Sequence, residues 1–288
     1  MKKRFELAAI LMFFIFCTFY SRSLFGFVPP LTAIIKADFE GRKPFPSETV
    51  FRHQVVLKSG EALAIEEQIT EIGGRTYVIF KSSAYGEVAG NWSKGVYLFS
   101  GDKKISSRSS VWAKFWLSTN GDSFREQLIQ ERFLKRDQLS QFKSSFTPKG
   151  DPAGWDLKEN YLLHPQVYFS RTPAGPAVVA VGTEEGNSRR AVFFDKASLG
   201  LSRLEWKEGE QVTAWNFSGH KKIAGDGIFP TEFNFTYENS EVVRSSLVGR
   251  RFLKDKLKSQ WLERFSGLSK NPLSSSFEEG LRILLGYR

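Results

Sequence analysis

The side chains with the greatest capacity for chemistry in this chain are aromatic. Residues 213–219 read T-A-W-N-F-S-G and residues 231–239 read T-E-F-N-F-T-Y-E-N. Alternate residues of an extended chain share a face, so Trp215 and Phe217 oppose Ala214 and Asn216. Phe233, Phe235 and Tyr237 likewise oppose Glu232, Asn234, Thr236 and Glu238. The chemistry such a face offers is capture by burial, at about 0.8 kcal/mol per CH₂ removed from water. Trp206, Trp215, Phe217, Phe233, Phe235 and Tyr237 are therefore the predicted lipid-binding residues. An aromatic face also needs a cover, which can be the protein's own helices, a lipid or a protein partner. A one-residue slip of strand register would turn some of these rings outward.

The second cluster is cationic. Residues 249–258 read G-R-R-F-L-K-D-K-L-K. Arg250, Arg251 and Lys254 are the predicted surface for an anionic headgroup or a partner; a strand end running into a solvated helix face is the competing explanation.

Catalytic chemistry is poorly supplied. The sequence contains no G-x-S-x-G elbow, P-loop, H-E-x-x-H or dinucleotide G-x-G-x-x-G. His53, His164 and His220 are isolated from one another and are expected at the surface or in loops. Three His and one Cys leave little room for a metal cluster or a Cys-based pair. The expectation is a non-enzyme with no cofactor and no metal. A hydrolase would need a His within hydrogen-bond reach of a Ser, assembled from distant residues.

The elements that must position these residues alternate between two periods. After Pro29 and Pro30, the spacing of Leu31, Ile34, Ile35 and Phe39 predicts a short helix. A first strand group is expected at 49–57, 63–71, 76–81, 95–100 and 111–117, separated by turn signals such as Gly73-Gly74. Phe124, Leu128, Ile129 and Phe133 predict one amphipathic helix over 122–142, capped by Asp122 or Ser123. Residues 144–160 form a Lys-, Gly- and Pro-rich loop suited to a mobile lid or a boundary. A second strand group follows at 166–171, 177–182, 190–194, 201–207, 211–218, 229–237 and 242–252. Helices are expected at 254–268 and 277–285, the latter opened by a Ser276/Glu279 capping box.

Composition agrees with this plan. Its 27 Phe and 7 Trp suit aromatic-faced sheets better than a helical bundle. Lys2, Lys3 and Arg4 precede an uncharged apolar run over 7–20, and Ser21-Arg22-Ser23 offers a cleavage site. Residues 1–23 thus resemble a Sec-type signal peptide, or an anchor if left uncleaved, with 24–288 as a single domain. Cleavage would remove a net three positive charges, leaving +7 of the +10. Such a protein would reside in the periplasm, inner-membrane anchored if the signal is retained. Nucleic acid is excluded by that address, and contact with a membrane surface is expected from the charge.

From about Asn160 the order of segments carries a further signal. The chain reads N-Y-L-L-H-P-Q-V-Y-F-S-R, then A-V-F-F-D-K-A-S-L-G-L-S-R-L-E-W, then G-I-F-P-T-E-F-N-F-T-Y-E-N. Phe194-Asp195, the following Arg203 and the bend at Gly227-Ile228-Phe229-Pro230 make this stretch resemble the LolA/LolB-like lipoprotein carriers and their outer-membrane lipoprotein-sorting relatives. The resemblance covers roughly residues 160–253 and rests on structural motifs. It implies an α+β fold, mainly antiparallel, in which a curved open half-barrel is covered by amphipathic helices. It also implies a non-catalytic periplasmic protein that holds lipid or lipoprotein acyl chains in an apolar cavity. The alternative is a membrane-tethered sensor or scaffold that grips an envelope protein partner with the same fold.

Overall fold

The computed structural model describes residues 30–42, 47–93, 95–140, 166–172, 175–223 and 227–286. The leader 1–23, the loop 144–160 and His164 lie outside the described residues. The strands are β1 (Ser47–Val56), β2 (Ala62–Ile72), β3 (Arg75–Ser82), β4 (Gly86–Ser93), β5 (Val96–Leu98), β6 (Lys104–Ser106), β7 (Val167–Thr172), β8 (Gly175–Glu185), β9 (Ser188–Asp195), β10 (Leu201–Glu208), β11 (Gln211–Ser218), β12 (Lys221–Lys222), β13 (Ile228–Phe229), β14 (Glu232–Tyr237) and β15 (Ser240–Phe252). The helices are α1 (Leu31–Asp38), α2 (Val111–Leu117), α3 (Gly121–Gln130), α4 (Asp255–Leu268) and α5 (Ser275–Leu285).

Thirteen strands form one antiparallel sheet in the order β6-β5-β4-β3-β2-β1-β15-β14-β11-β10-β9-β8-β7, and β12 and β13 make a separate small ribbon. The sheet is open, with β6 and β7 as its edges. Members of both strand groups expected from the sequence belong to it, joined where β1 pairs with β15 near the two ends of the described chain. Cross-strand register lines up one apolar row through nine strands: Leu63, Val55, Val243, Phe235, Trp215, Leu204, Val192, Ala180 and Val167. All nine are buried in the main core. Strand alternation puts charged and amide side chains on the opposite face.

The helices divide between the two faces. α1, α2, α3 and α5 contribute to the core on the aromatic face, through residues such as Ile34, Trp112, Phe124 and Leu281. α4 covers part of the other face, where Trp261 and Phe265 pack against Tyr77 and Ile79. Gly90 is required on β4, because a Cβ there would stand 2.9 Å from the Phe99 ring.

Several elements differ from the sequence expectation. Residues 111–117 are a helix, α2, instead of a strand. The helix expected over 122–142 is α3 alone, followed by a turn and a 3-10 segment at Arg136–Ser140. Asn120, not Asp122 or Ser123, caps α3 by accepting from the Ser123 N–H at 3.2 Å. Ser274 rather than Ser276 caps α5, accepting from the Phe277 N–H. β4 and β6 were not foreseen.

The break after α3 has a cause in β8. The strand bulges between Val181 and Thr183, and the backbone of 132–134 crosses directly over Gly182. Thr183 Oγ1 donates to the Arg132 carbonyl at 3.1 Å, Gln138 Nε2 to the Val181 carbonyl at 2.8 Å, and Arg190 Nη1 to the Glu131 carbonyl at 2.6 Å. A Cβ on Gly182 would lie 2.2 Å from the Phe133 carbonyl carbon. Overpacking of that kind typically costs 1–3 kcal/mol. Gly182→Ala is therefore expected to destabilise the fold by about 3 kcal/mol, measured as a shifted midpoint in urea unfolding. Gly175→Ala is the comparison; its position is open, so only its φ of +124° opposes the change.

Candidate functional site

The aromatic face of β1, β11, β14 and β15 is occupied by α2. Trp112, Phe115 and Trp116 are each no more than 1 % exposed. The Trp112 ring lies 4.4 Å from Trp215, 4.9 Å from Phe233 and 5.9 Å from Phe217. Trp116 lies 4.7 Å from Phe51 and stacks on Phe229 at 5.8 Å with an interplanar angle of 11°. A helix of seven residues has almost no stability of its own, so this packing is what makes it helical.

The ends of α2 are held by side chains from other elements. Ser109 Oγ accepts from the Val111 N–H at 3.1 Å, and Glu131 Oε1 accepts from the Ser110 N–H and hydroxyl. At the other end Arg42 Nη1 donates to the Phe115 carbonyl and Arg250 Nη1 to the Trp116 carbonyl. These are carbonyls a helix leaves unpaired in its last turn, where a cation is also favoured by the helix dipole. The Phe229 ring sits between the two guanidinium groups, 4.2 Å from Arg42 and 4.6 Å from Arg250. Asp38 supports Arg42 as a buried ion pair at 3.7 Å and accepts from the Leu201 N–H at 3.1 Å. Burial pushes the Asp38 carboxyl above the ordinary range, and the nearby Arg42 charge, the Leu201 N–H and His220 oppose that rise. The Trp116 indole N–H is buried and has no acceptor among the described residues.

The predicted lipid-binding residues are thereby located. Trp215, Phe217, Phe233 and Phe235 share the face under α2 and are at most 3 % exposed. Trp206 and Tyr237 are half-buried on the margin of the same core, and Trp206 meets Phe133 edge-on at 4.9 Å. The three cationic residues separate. Arg250 is buried against α2 and also donates to Thr49 Oγ1 at 3.0 Å. Arg251 is exposed and pairs with Glu48, whose other oxygen accepts from Trp261 Nε1 at 2.9 Å. Lys254 is exposed at the start of α4.

One histidine departs from the sequence expectation. His53 is not at the surface: it is 2 % exposed in the middle of β1, on the covered face. Its Nδ1 is 2.7 Å from Ser245 Oγ on β15 and its Nε2 is 3.0 Å from Glu67 Oε2 on β2. The signal available in sequence was alternation, since Phe51, His53 and Val55 share a face. The composition is that of a Ser-His-Glu relay, yet Ser245 is mid-strand between β1 and β14 and is closed from solvent. His220 lies between β11 and β12, and its Nε2 contacts the Leu201 carbonyl at 3.0 Å. Among the described residues no group of His, Cys, Asp and Glu is arranged to hold a metal, and no helix is long and apolar enough to cross a membrane.

The opposite face of the same strands carries a polar trough of about 780 Å³. Its floor follows two lines of register. One runs Lys81, Glu66, Arg52, Ser246, Glu232, Ser218, and the other Gln54, Arg244, Asn234, Asn216. Asn216 donates to Asn234 at 2.8 Å, Asn234 donates to Glu241 at 3.0 Å, and Arg203 donates to Asn216 at 2.6 Å. Neither motif nor charge run announced this trough, because its members come from six strands.

No protein-family model matches the chain, and no curated protein matches it. Among solved structures it is similar to a LolA superfamily protein from Nitrosomonas europaea, at 11 % identity and a TM-score of 0.45, covering 80 % of this chain and 97 % of that one. It is also similar to a putative outer membrane lipoprotein-sorting protein domain from Vibrio parahaemolyticus, at 11 % identity and a TM-score of 0.39, covering 81 % and 97 %. A third similarity is to the MucA/MucB complex of Pseudomonas aeruginosa, at 12 % identity and a TM-score of 0.26, covering 79 % and 60 %.

Proposed function

We propose that the protein is a non-catalytic binder of acyl chains, carried by lipids or lipoproteins, which enter the aromatic face when α2 is displaced. One observation carries this reading: the aromatic face is closed by a helix too short to be stable by itself and tied down by side chains that follow α1 and α3 and by one from β15. Two features support displacement. The closed form leaves the Trp116 N–H without a partner among the described residues, and an unpaired buried donor costs about 1–3 kcal/mol. A saturated chain of about sixteen carbons supplies roughly 12 kcal/mol of burial, comparable to what the three rings of α2 contribute. Trp215, Phe217, Phe233 and Phe235 form the floor of the opened cleft, with Trp206 and Tyr237 at its margin.

In the same reading residues 1–23 export the chain to the periplasm, or anchor it to the inner membrane if they are retained. Arg251 and Lys254 meet headgroups at the membrane surface, and 24–288 acts as one domain. Arg250 belongs to the latch on α2.

Because Arg250 stabilises the closed form, Arg250→Leu should raise the open population and tighten the apparent affinity for a fluorescent fatty acid by about tenfold. It should also lower the thermal midpoint. Titration of both proteins by fluorescence checks this. Native mass spectrometry of the wild type should show co-purified acylated species. Absence of such species, together with no binding by either protein, would sink the reading.

The polar trough favours a second reading, in which an envelope protein docks as an extended polypeptide across β11, β14, β15 and β1. Its floor combines amides and hydroxyls with charges of both signs, a mixture that peptide groups and mixed side chains can match. A photo-crosslinker at Gln54 should then capture a single envelope protein in cells. Arg52→Glu combined with Arg244→Glu should abolish that capture while fatty-acid binding stays unchanged. Capture that survives the double change would remove the trough from consideration.

A further inference from the structure

Away from the Arg42, Arg250 and Thr49 cluster at the end of α2, a second polar group interrupts the apolar rows of the covered face. Glu67, His53 and Ser245 stand side by side on β2, β1 and β15, within rows otherwise supplied by Phe80, Phe51, Ile65, Phe233 and Phe217. His53 is directly opposite Ser245, and Glu67 is directly opposite Phe51, one position diagonal to His53. The imidazole bridges the other two through its two nitrogens, at 2.7 and 3.0 Å. The rings flanking it, Phe51 at 5.8 Å and Phe233 at 6.1 Å, are both covered by Trp112 of α2, at 6.0 and 4.9 Å. The polar row therefore lies beneath the helix whose departure opens the cleft.

Stability alone does not account for the row. Burying a carboxylate and an imidazole costs several kcal/mol per ion before pairing, and apolar residues of matching volume are commonly as stable or more so. What the row adds is a fixed hydrogen-bonding group among the apolar rows of the floor. Either partner of the His53–Ser245 contact can donate; when both imidazole nitrogens carry a proton, Nε2–H donates to Glu67 and Nδ1–H donates to Ser245 Oγ. The Ser245 hydroxyl proton is then free to donate upward into the cleft.

We infer that Ser245, oriented by His53 and Glu67, is the recognition point for the linkage carbonyl of an acyl ligand, so that the cleft selects ester- or amide-linked chains over plain alkyl chains. This inference rests on the acyl-binding reading above. His53 and Glu67 act as positioning residues, and Ser245 makes the contact. No covalent step is involved, because the hydroxyl serves only as a donor. A buried polar site of this kind discriminates by leaving its donor unpaired when the ligand lacks the acceptor.

The test compares two probes that differ by one carbonyl, monopalmitoylglycerol and 1-O-hexadecylglycerol, each displacing a fluorescent fatty acid from protein purified from cells expressing the full chain. The wild type should prefer the ester by about tenfold, one hydrogen bond's worth. Ser245→Ala should reduce that preference to near unity, and Ser245→Thr, which restores a hydroxyl on a β-branched strand residue, should recover it. A merely structural role would lower the thermal midpoint of Ser245→Ala and leave the ester-to-ether ratio intact, and that result overturns the inference. Equal binding of the two probes by wild type also overturns it while leaving acyl binding standing. If neither probe binds and the fluorescent fatty acid does not either, the acyl-binding reading itself falls.

Discussion

How a seven-residue helix is kept in place decides the character of the whole covered face. α2 supplies no cap of its own at its start, and its last carbonyls would be stranded in an aromatic core without outside donors. Arg42 and Arg250 are those donors, and each reaches α2 from a different part of the chain. Arg42 follows α1, whose Asp38 steadies it. Arg250 projects from β15. Between them Phe229 offers its ring to both cations and stacks on Trp116, so the two arginines and the tryptophan share one surface. α1, α2, β13 and β15 are thus held at one point, and loosening any of them loosens the others.

The two faces of the sheet solve opposite problems with the same strands. On the covered side, long registered rows give a broad apolar floor on which rings and helices settle with little directional preference. On the other side, the hydrogen bonds of Arg203, Asn216, Asn234 and Glu241 run across β10, β11, β14 and β15 and depend on specific partners. A one-residue slip of β14 would bring Asn234 under α2 and drive Phe233 into water. Each face therefore guards the register of the other.

Much of this architecture is legible in the chain as written. The period-two runs over 211–218 and 231–237 give the strands and the correct inward set, because burial on one side leaves a plain alternation. α2 is illegible for an instructive reason. V-W-A-K-F-W-L is rich in β-favouring residues, and local propensity argues for a strand. It is helical because Trp112, Phe115 and Trp116 all find aromatic partners when spaced as they are on a helix, which only the assembled sheet can provide. β4 is hidden by Gly86 and Gly90, which weaken its strand signal, although the second is needed to admit Phe99. The end of α3 is hidden because its cause, the bulge at Gly182, lies some fifty residues further on. As for the candidate site, the aromatic set is readable from spacing. The Ser245–His53–Glu67 row and the seating of Arg250 are not, since each joins strands whose adjacency follows from topology.

The middle of the sheet is closed by its first and last long strands. His53 and the residue it faces on β15 are 192 positions apart in the chain, and such distant pairings form slowly because a long loop must close before any contact rewards it. A chain emerging from synthesis or from a narrow channel with its N-terminus leading holds β1 without one of its two neighbours until nearly everything else has followed. The half-built sheet on either side of that gap has no shared floor on which α2 can settle. Completion of the covered face is thereby tied to the arrival of β15.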